Sequence, residues 1–320
     1  MIKIGRFNIP GNVFLAPMVG VTDRPFRMLC RSFGAALATS EMINSKTDYR
    51  HNPRTLRRLD HRGEPEPRSV QILGNDPKVM AECARFSVDQ GADIIDINMG
   101  CPAKKVCRRA AGSALMADVK LSAAIFKSMV ESVNVPITVK MRLGVSLEEL
   151  NVLELAHIAE DSGLQAIAIH GRSRACFYNG EAKFELIGEV KRQVNIPVIA
   201  NGDIDSCEKA KSVLEGTQAD GIMIGRYAQQ KPWAFGIIQH YLNTGEILPE
   251  PTLVERKAIL INHVKKLYDF YDDILGVRVA RKHVRWQLNM GCEEDLNFWV
   301  EFNKLQSSQA QLQAINGYFN

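Results

Sequence analysis

The chain has 320 residues, 46% of them hydrophobic and 24% charged, with a formal net charge of +4. These proportions fit a globular protein of one large domain, or one domain with an appendix, and they exclude collagen-like, disordered and disulfide-scaffold classes. Seven scattered cysteines with no C-x-x-C pair point to a reducing compartment, and a charge of +4 is too small to identify a polyanionic partner.

A long uncharged run, residues 7 to 22, is interrupted by Asn8, Pro10, Gly11, Asn12, Pro17 and Gly20. Neither a membrane span nor a signal peptide tolerates that pattern, so a cytoplasmic protein is expected. Short runs rich in Val and Ile recur near Phe14, Leu37, Val70, Ile94, Val139, Ile167, Val198 and Ile222. Their mean spacing of roughly 30 residues is that of a (β/α)₈ barrel. The runs are almost continuously apolar, as strands covered on both faces must be. Between them, Asp76 and Pro77 predict the N-cap and first turn of a helix ended by Gly91, and Ser146 with Glu149 predicts a capping box for a helix stopping near Gly163. After about Gly245 the period changes: Val254, Ala258, Ile261, Val264, Tyr268 and Tyr271 recur every three or four positions, and no strand-like run follows. The expected fold class is α/β, a (β/α)₈ TIM barrel over residues 1–245 with a C-terminal all-helical domain over 246–320, joined near Leu248-Pro249-Glu250-Pro251.

No two of the 23 glycines lie two positions apart, so G-x-G-x-x-G is absent, as are the P-loop, zincin and nucleophile-elbow motifs. No cysteine and histidine spacing suggests a metal. The chemistry must then sit at the C-terminal ends of the barrel strands. Those ends are polar: Gln71, then Asn98 with Gly100-Cys101-Pro102, Lys140 with Arg142, His170-Gly171-Arg172, Asn201-Gly202-Asp203 and Gly225-Arg226. Glycines at the seventh and eighth ends let backbone N–H groups approach a phosphate that Arg226 neutralises. A phosphate there, with amide, ammonium and imidazole donors facing inward, suits flavin mononucleotide (FMN). Lys140 would serve the flavin N1 and O2 edge and Gln71 the N3 and O4 edge. Taken singly, His170 also fits a satisfied core histidine and Lys140 a snorkelling lysine; six polar ends together favour a site.

The motifs carry a resemblance. Leu15-Ala16-Pro17-Met18, Thr22-Asp23-Arg24-Pro25-Phe26-Arg27, Ser40-Glu41-Met42, Asp96-Ile97-Asn98-Met99-Gly100-Cys101-Pro102, Ala111-Gly112-Ser113-Ala114-Leu115, His170-Gly171-Arg172, Asn201-Gly202-Asp203, Gly225-Arg226 and Ala280-Arg281-Lys282-His283 run in order along the chain. Together they resemble the bacterial tRNA-dihydrouridine synthases, nearest to their B subfamily. The resemblance implies an FMN enzyme that reduces uridine in the tRNA D-loop to dihydrouridine with NADPH, position 17 being the subfamily expectation. It also implies that Ala16, Pro17 and Met18 lie against the flavin, that Gln71, Lys140 and His170 bond it, and that Asn201, Gly202, Asp203, Gly225 and Arg226 hold its phosphate. Cys101 would be the general acid that protonates C5, while hydride reaches C6.

An acid, unlike a nucleophile, needs its S–H form, so Lys104 and Lys105 are predicted to face solvent or RNA and not the sulfur. Cys107 and Cys176 remain weaker alternatives. Substrate contacts are assigned to Asn98, to Lys104, Lys105, Arg172 and Arg174 around the mouth, and to a helical stripe of Arg278, Arg281, Lys282 and Arg285. Opposite that stripe, Val277, Ala280, Val284 and Leu288 form the buried face, and residues 274 to 292 contain no acidic residue. The expected partner is tRNA, with no membrane and no metal, and the protein is expected to be a monomer. A small-molecule FMN oxidoreductase of the dihydroorotate dehydrogenase type would share the phosphate site but not need the stripe. A non-catalytic RNA-binding module would need the stripe but not the polar strand ends.

Overall fold

Runs rich in β-branched residues, bounded by glycine, proline and polar side chains, form the strands. In the computed structural model, which describes residues 1–288 and 293–319, β1 (Ile2–Ile4) and β2 (Phe7–Ile9) make an antiparallel hairpin. Cys292 and the end of the basic run, at 289–292, lie outside the described residues. Eight parallel strands follow: β3 (Val13–Leu15), β4 (Ile43–Asn44), β5 (Ser69–Leu73), β6 (Ile94–Met99), β7 (Ile137–Arg142), β8 (Ala166–His170), β9 (Val198–Asn201) and β10 (Gly221–Ile224). Their order is β3-β10-β9-β8-β7-β6-β5-β4. The run near Leu37 is not a regular strand. Residues 36–40 lie between β3 and β5, where Leu15 bridges Ala38 and Thr39 bridges Ser69, and this closes the (β/α)₈ barrel. Regular pairing stops there because the Ser40 hydroxyl accepts the Gln71 backbone N–H at 3.3 Å.

The hairpin has no counterpart in the sequence reading, since three-residue strands carry too short an alternation. Its Ile2, Ile4 and Ile9 share a buried cluster with Phe14, Ile94, Ala166, Ile199 and Met223. Ile94 and Ala166 open β6 and β8, so the hairpin plugs the N-terminal end of the barrel. A larger cluster packs between strands and outer helices. The C-terminal mouth is left to the polar strand ends.

Asp76 caps helix Pro77–Asp89 as expected, accepting the Val79 N–H at 3.0 Å, and Gly91 follows at φ +97°. Ser146 does not cap a helix. It accepts the N–H groups of Glu148 and Glu149 within a turn closed by a Gly144–Leu150 bridge, and the helix begins only at Val152 and ends at Asp161. The S-x-x-E pattern is used up by that turn, which Gly144 permits: a Cβ there would lie 2.1 Å from the Glu149 carbonyl oxygen.

Four helices, Leu253–Tyr271, Asp273–Gln287, Glu293–Phe302 and Ser308–Tyr318, form the C-terminal region around Leu260, Val264, Leu267, Val277, Ala280, Val284, Phe302 and Ile315. The face of the first differs from the expected one: Val254 is 78% exposed and Ala258 is exposed, while Leu260, His263, Val264, Leu267 and Tyr268 are buried. Periodicity names a face, but only the partner helices decide which turns of it are covered. Among the described residues no helix is long and apolar enough to cross a membrane.

The helical region meets the barrel at helix Arg24–Ser32. Phe26 packs against the rings of His263 and His283 at 5.6 and 5.5 Å, the Tyr271 hydroxyl donates to Asp23 at 3.0 Å, and Lys282 donates to the Gly20 carbonyl. The same helix buries Arg27, which forks onto Glu64 at 2.7 and 2.6 Å and donates to the Thr22 carbonyl at 2.9 Å. Burial alone would raise the Glu64 pKa, but the bonds and charge of Arg27, with those of His61, outweigh it and hold the carboxyl at about 2. Arg27→Met is expected to cost about 3–5 kcal/mol in urea unfolding, because Glu64 is left buried without its guanidinium and with His61 alone; an unchanged midpoint would refute the coupling. A depressed carboxyl pKa stabilises the fold above its unfolded value, so the Glu64 contribution should be lost as pH falls from 4.5 toward about 2.

Candidate active site

A cavity of about 480 Å³ opens at the C-terminal mouth of the barrel. It is lined by all eleven residues expected at the cofactor, namely Ala16, Pro17, Met18, Gln71, Lys140, His170, Asn201, Gly202, Asp203, Gly225 and Arg226, together with Asn98 and Cys101. Parallel strands entering one ring must deliver their C-terminal side chains to one mouth, and this brings together residues over 200 positions apart.

Its floor is a hydrogen-bonded chain. Asp96, buried beneath the lining, accepts Gln71 Nε2 and Thr138 Oγ1 at 2.7 Å each. The Gln71 Oε1 accepts Asn98 Nδ2 at 2.6 Å, and Asn98 Oδ1 accepts the N–H groups of Gly100 and Cys101 at 3.2 and 3.0 Å. Register makes the chain possible, because Gln71, Asp96 and Thr138 are adjacent partners across β5, β6 and β7. Burial raises the Asp96 carboxyl, opposed by its two donors and by the charge of Lys140. Asn98 thus has its oxygen committed, and its N–H toward Met42 Sδ, at 3.5 Å, is the one available to a ligand.

Lys140 donates to Asn201 Oδ1 at 2.8 Å, and Asn201 Nδ2 donates to the Met223 carbonyl at 2.7 Å. Burial and the nearby Arg142 lower the Lys140 ammonium to about 8, against the pull of Asp96. His170 is driven down to about 2 by burial and then by Lys140, Arg142, Arg172 and Arg226, so its ring is neutral. Arg172 Nη1 lies 3.3 Å from His170 Nε2. A guanidinium only donates, so Nε2 accepts and the ring proton resides on Nδ1.

Arg172, expected at the substrate, is turned into the protein. It is buried, and it forks onto Asp203 at 2.9 and 2.5 Å while donating to the Asn179 and Gly180 carbonyls, which leaves nothing for an RNA phosphate. Asp203, at φ +45°, also accepts the Ala182 N–H and Arg226 Nη2, at 2.9 and 2.8 Å. Burial pushes Asp203 up, but these partners outweigh it and keep the carboxylate ionised. An ionised carboxylate repels a phosphate, so Asp203 positions the two arginines. Arg226, with 60% of its side chain exposed, spends one nitrogen on Asp203 and keeps its other N–H groups for a ligand at that end. Gly202 at φ +133° admits no Cβ, which would meet Ala182 Cβ at 2.6 Å, so its bare backbone faces the cavity.

Cys101 is the one cysteine lining this cavity among the described residues. Cys107 turns to the Cys101 carbonyl and Ser113 hydroxyl at 3.7 and 3.6 Å, and Cys176 to the Ser173 hydroxyl at 3.1 Å. Burial raises the Cys101 thiol, with the Ala103 N–H and the charge of Arg142 opposing. Lys104 and Lys105 are exposed on the short helix Lys104–Cys107 and are not among the groups acting on it. Arg174 is half-buried on the loop after β8, outside the lining.

The C-terminal stripe is divided. Arg278 and Arg285 are exposed, but Arg281 donates to the Leu305 carbonyl at 3.0 Å and Lys282 faces the Gly20 carbonyl at the seam with the barrel. All four share one side of the helix, yet that side is partly packed, so two of the four cations are held by the protein itself.

Arg142, Tyr178 and Gln229 also line the cavity without having been assigned to it. Arg142 is buried, donating to the Gly100, Ser173 and Phe177 carbonyls at 2.7, 2.9 and 2.8 Å. Its signal lay two residues beyond Lys140, on the same strand face. Tyr178, 54% exposed, stands between Arg142 and Arg226, each 5.5 Å from its ring. Neither Tyr178 nor Gln229 carries a periodic signal.

A closed parallel barrel with a cation-rich cavity and one thiol at its C-terminal mouth belongs to the barrel enzymes that act at strand ends. The model of the family Dihydrouridine synthase (Dus) matches residues 14–319. The tRNA-dihydrouridine synthase B of Pseudomonas putida is 50% identical over 321 residues, covering 100% of this chain and 94% of that protein. That of Vibrio vulnificus is 50% identical over 319 residues, covering 100% and 99%. The chain belongs to the dihydrouridine synthase family. Among solved structures, the old yellow enzyme homologue of Zymomonas mobilis aligns with a TM-score of 0.54 at 14% identity, over 79% of this chain and 94% of that one. Histamine dehydrogenase from Rhizobium aligns at 0.59 and 12%, over 82% and 50%. These two likenesses concern the barrel fold.

Because its ammonium is lowered to about 8, Lys140 should lose its charge as pH rises through about 8, well below the ordinary 10.5. An NMR titration of the lysine side chains, with Lys140→Met for assignment, should show that midpoint. A midpoint near 10.5 would mean that the residue is solvated.

Proposed function

We propose that this enzyme binds FMN in the mouth cavity and reduces uridine in the D-loop of tRNA to dihydrouridine, with NADPH as reductant. The observation that carries the reading is the convergence of Gln71, Lys140, His170, Asn201 and Arg226 on the same cavity as the Cys101 thiol. The donor set suits FMN: a cation and an amide for the acceptor-rich ring edge, a neutral imidazole, bare glycine backbone, and an exposed arginine for a phosphate. Ala16, Pro17 and Met18 supply an apolar wall for the ring. Family membership favours this reading over a dihydroorotate dehydrogenase relative or a non-catalytic RNA-binding module.

FMN held by these residues would supply the hydride for C6 of the uracil, with NADPH as its source. Cys101 holds the proton for C5. A thiol raised by burial is protonated at neutral pH, as a general acid must be. The thiolate left after transfer lies near the Arg142 guanidinium and regains its proton from solvent. Arg142 and Tyr178 border the space beside Cys101 and suit an extruded base, since a stacked uridine is out of reach of the mouth. We assign the chemistry to residues 1–245 and tRNA positioning to residues 246–320. The exposed Lys104 and Lys105, with Arg174, Arg278 and Arg285, are the cations open to the RNA backbone. A tRNA substrate places this work in the cytoplasm.

Cys101→Ala is expected to retain FMN and its reduction by NADPH but to slow tRNA-driven flavin reoxidation by about 10²-fold or more. Stopped-flow absorbance measures both half-reactions, and a wild-type reoxidation rate would remove Cys101 as the acid. Arg226→Ala should weaken FMN binding by roughly 10- to 150-fold, the value of a charge-assisted bond to a phosphate. Unchanged affinity by fluorescence titration would displace the phosphate from β10.

A further inference from the structure

A second cavity, of about 230 Å³, adjoins the first, and of its lining only Lys105 has been given a role above. Asn44, Lys46, Tyr49, Asn75, Lys105 and Arg109 line it. The adjacency follows from the chain. Gln71 of β5 lines the first cavity and Leu73 the second, a step of about 7 Å along a strand. Met42 and Asn44 divide in the same way, and Lys105 and Arg109 follow Cys101 on the short helix Lys104–Cys107 and the turn after it.

The lining has the chemistry of a nucleotide site. Lys46, Lys105 and Arg109 are exposed, and among the described residues none of their side chains has an ion pair or hydrogen bond. Tyr49 is 39% exposed, and among the described residues its ring has no aromatic or cationic contact and its hydroxyl no partner. Asn44 accepts the Lys46 N–H at 3.0 Å through Oδ1, which leaves its amide N–H groups for a ligand. Three unpaired cations around one free aromatic face offer a phosphate its charge and a base its stacking surface.

We infer that this second cavity is a subsite for a nucleotide of the RNA strand next to the reduced uridine, its phosphate held by Lys46, Lys105 and Arg109 and its base stacked on Tyr49. The inference rests on the reading of the first cavity as the site of uridine reduction in tRNA. A base extruded into the mouth draws its neighbours out of the stack, and a cavity one short step away is where a neighbour arrives. The phosphate-bearing rival is the dinucleotide reductant, and the two half-reactions separate them.

The test uses the full-length, FMN-loaded enzyme as wild type, Tyr49→Phe, Tyr49→Ala and the pair Lys46→Gln with Arg109→Gln. Flavin reduction is followed against NADPH concentration, and reoxidation of the reduced enzyme against tRNA concentration. Tyr49→Ala is expected to raise the half-saturating tRNA concentration about 5- to 150-fold, the range for loss of one base stack, with the limiting rate nearly unchanged. Tyr49→Phe should stay near wild type, and the paired variant should weaken tRNA most at low salt. NADPH saturation should be the same in all four. Unchanged tRNA saturation in Tyr49→Ala, or equal weakening in Tyr49→Phe, overturns the stacking site. A shift in NADPH saturation instead assigns the cavity to the reductant and also overturns it. If wild type is not reoxidised by tRNA at all, the functional reading itself has failed, and the wild-type arm reveals this before any variant is compared.

Discussion

Asp96 organises the mouth of the barrel. It accepts from Gln71 on one side and Thr138 on the other, which sets the Gln71 amide, then the Asn98 amide, and through Asn98 the backbone of Gly100 and Cys101. Each amide in such a series can face only one way, because reversing it would set donor against donor or acceptor against acceptor. The position of the Cys101 thiol is therefore coupled to a carboxyl five residues earlier, two strand positions below Asn98. Asp96 itself touches nothing in the cavity.

Around this chain the site gathers Lys140, Arg142, Arg172 and Arg226, with Asp203 as the carboxylate that ties two of them down. The consequence is graded. His170 stays neutral, Lys140 keeps its proton at neutral pH but with a small margin, and the Cys101 thiol stays protonated because burial outweighs its positive neighbour. A site arranged in this way favours acceptor-rich, anionic ligands while keeping its thiol protonated.

The seam with the helical region uses the same economy of charge. Asp23, raised by burial to about 6, accepts from Tyr271, and Lys282 reaches across to Gly20 at the rim of the cavity. The helical region is thus bonded to the loop after β3, whose Met18 and Val19 line the cavity. Of the stripe, Lys282 ties the two parts together and Arg281 bonds within the helical region, while Arg278 and Arg285 are exposed, Arg285 over the Trp299 ring at 5.5 Å.

The amino-acid sequence by itself determined the barrel, the helical C-terminal region and the residues that line the mouth. Apolar runs ending in polar residues have one reading in a parallel barrel: the runs are buried and their ends share a face. It also contained the family motifs around Asn98, Cys101 and His170. Tertiary structure alone decided how those residues are employed. Arg172 became a buried partner of Asp203, Ser146 closed a turn ahead of its helix, Arg281 and Lys282 turned inward, and the Ile2–Ile9 hairpin filled the far end of the barrel. Tyr178 joined the cavity with no periodic pattern to announce it. Residue type and spacing report which side chains share a strand face or a helix face. Whether a charge on that face meets solvent, a carboxylate or a carbonyl depends on elements brought there from distant parts of the chain.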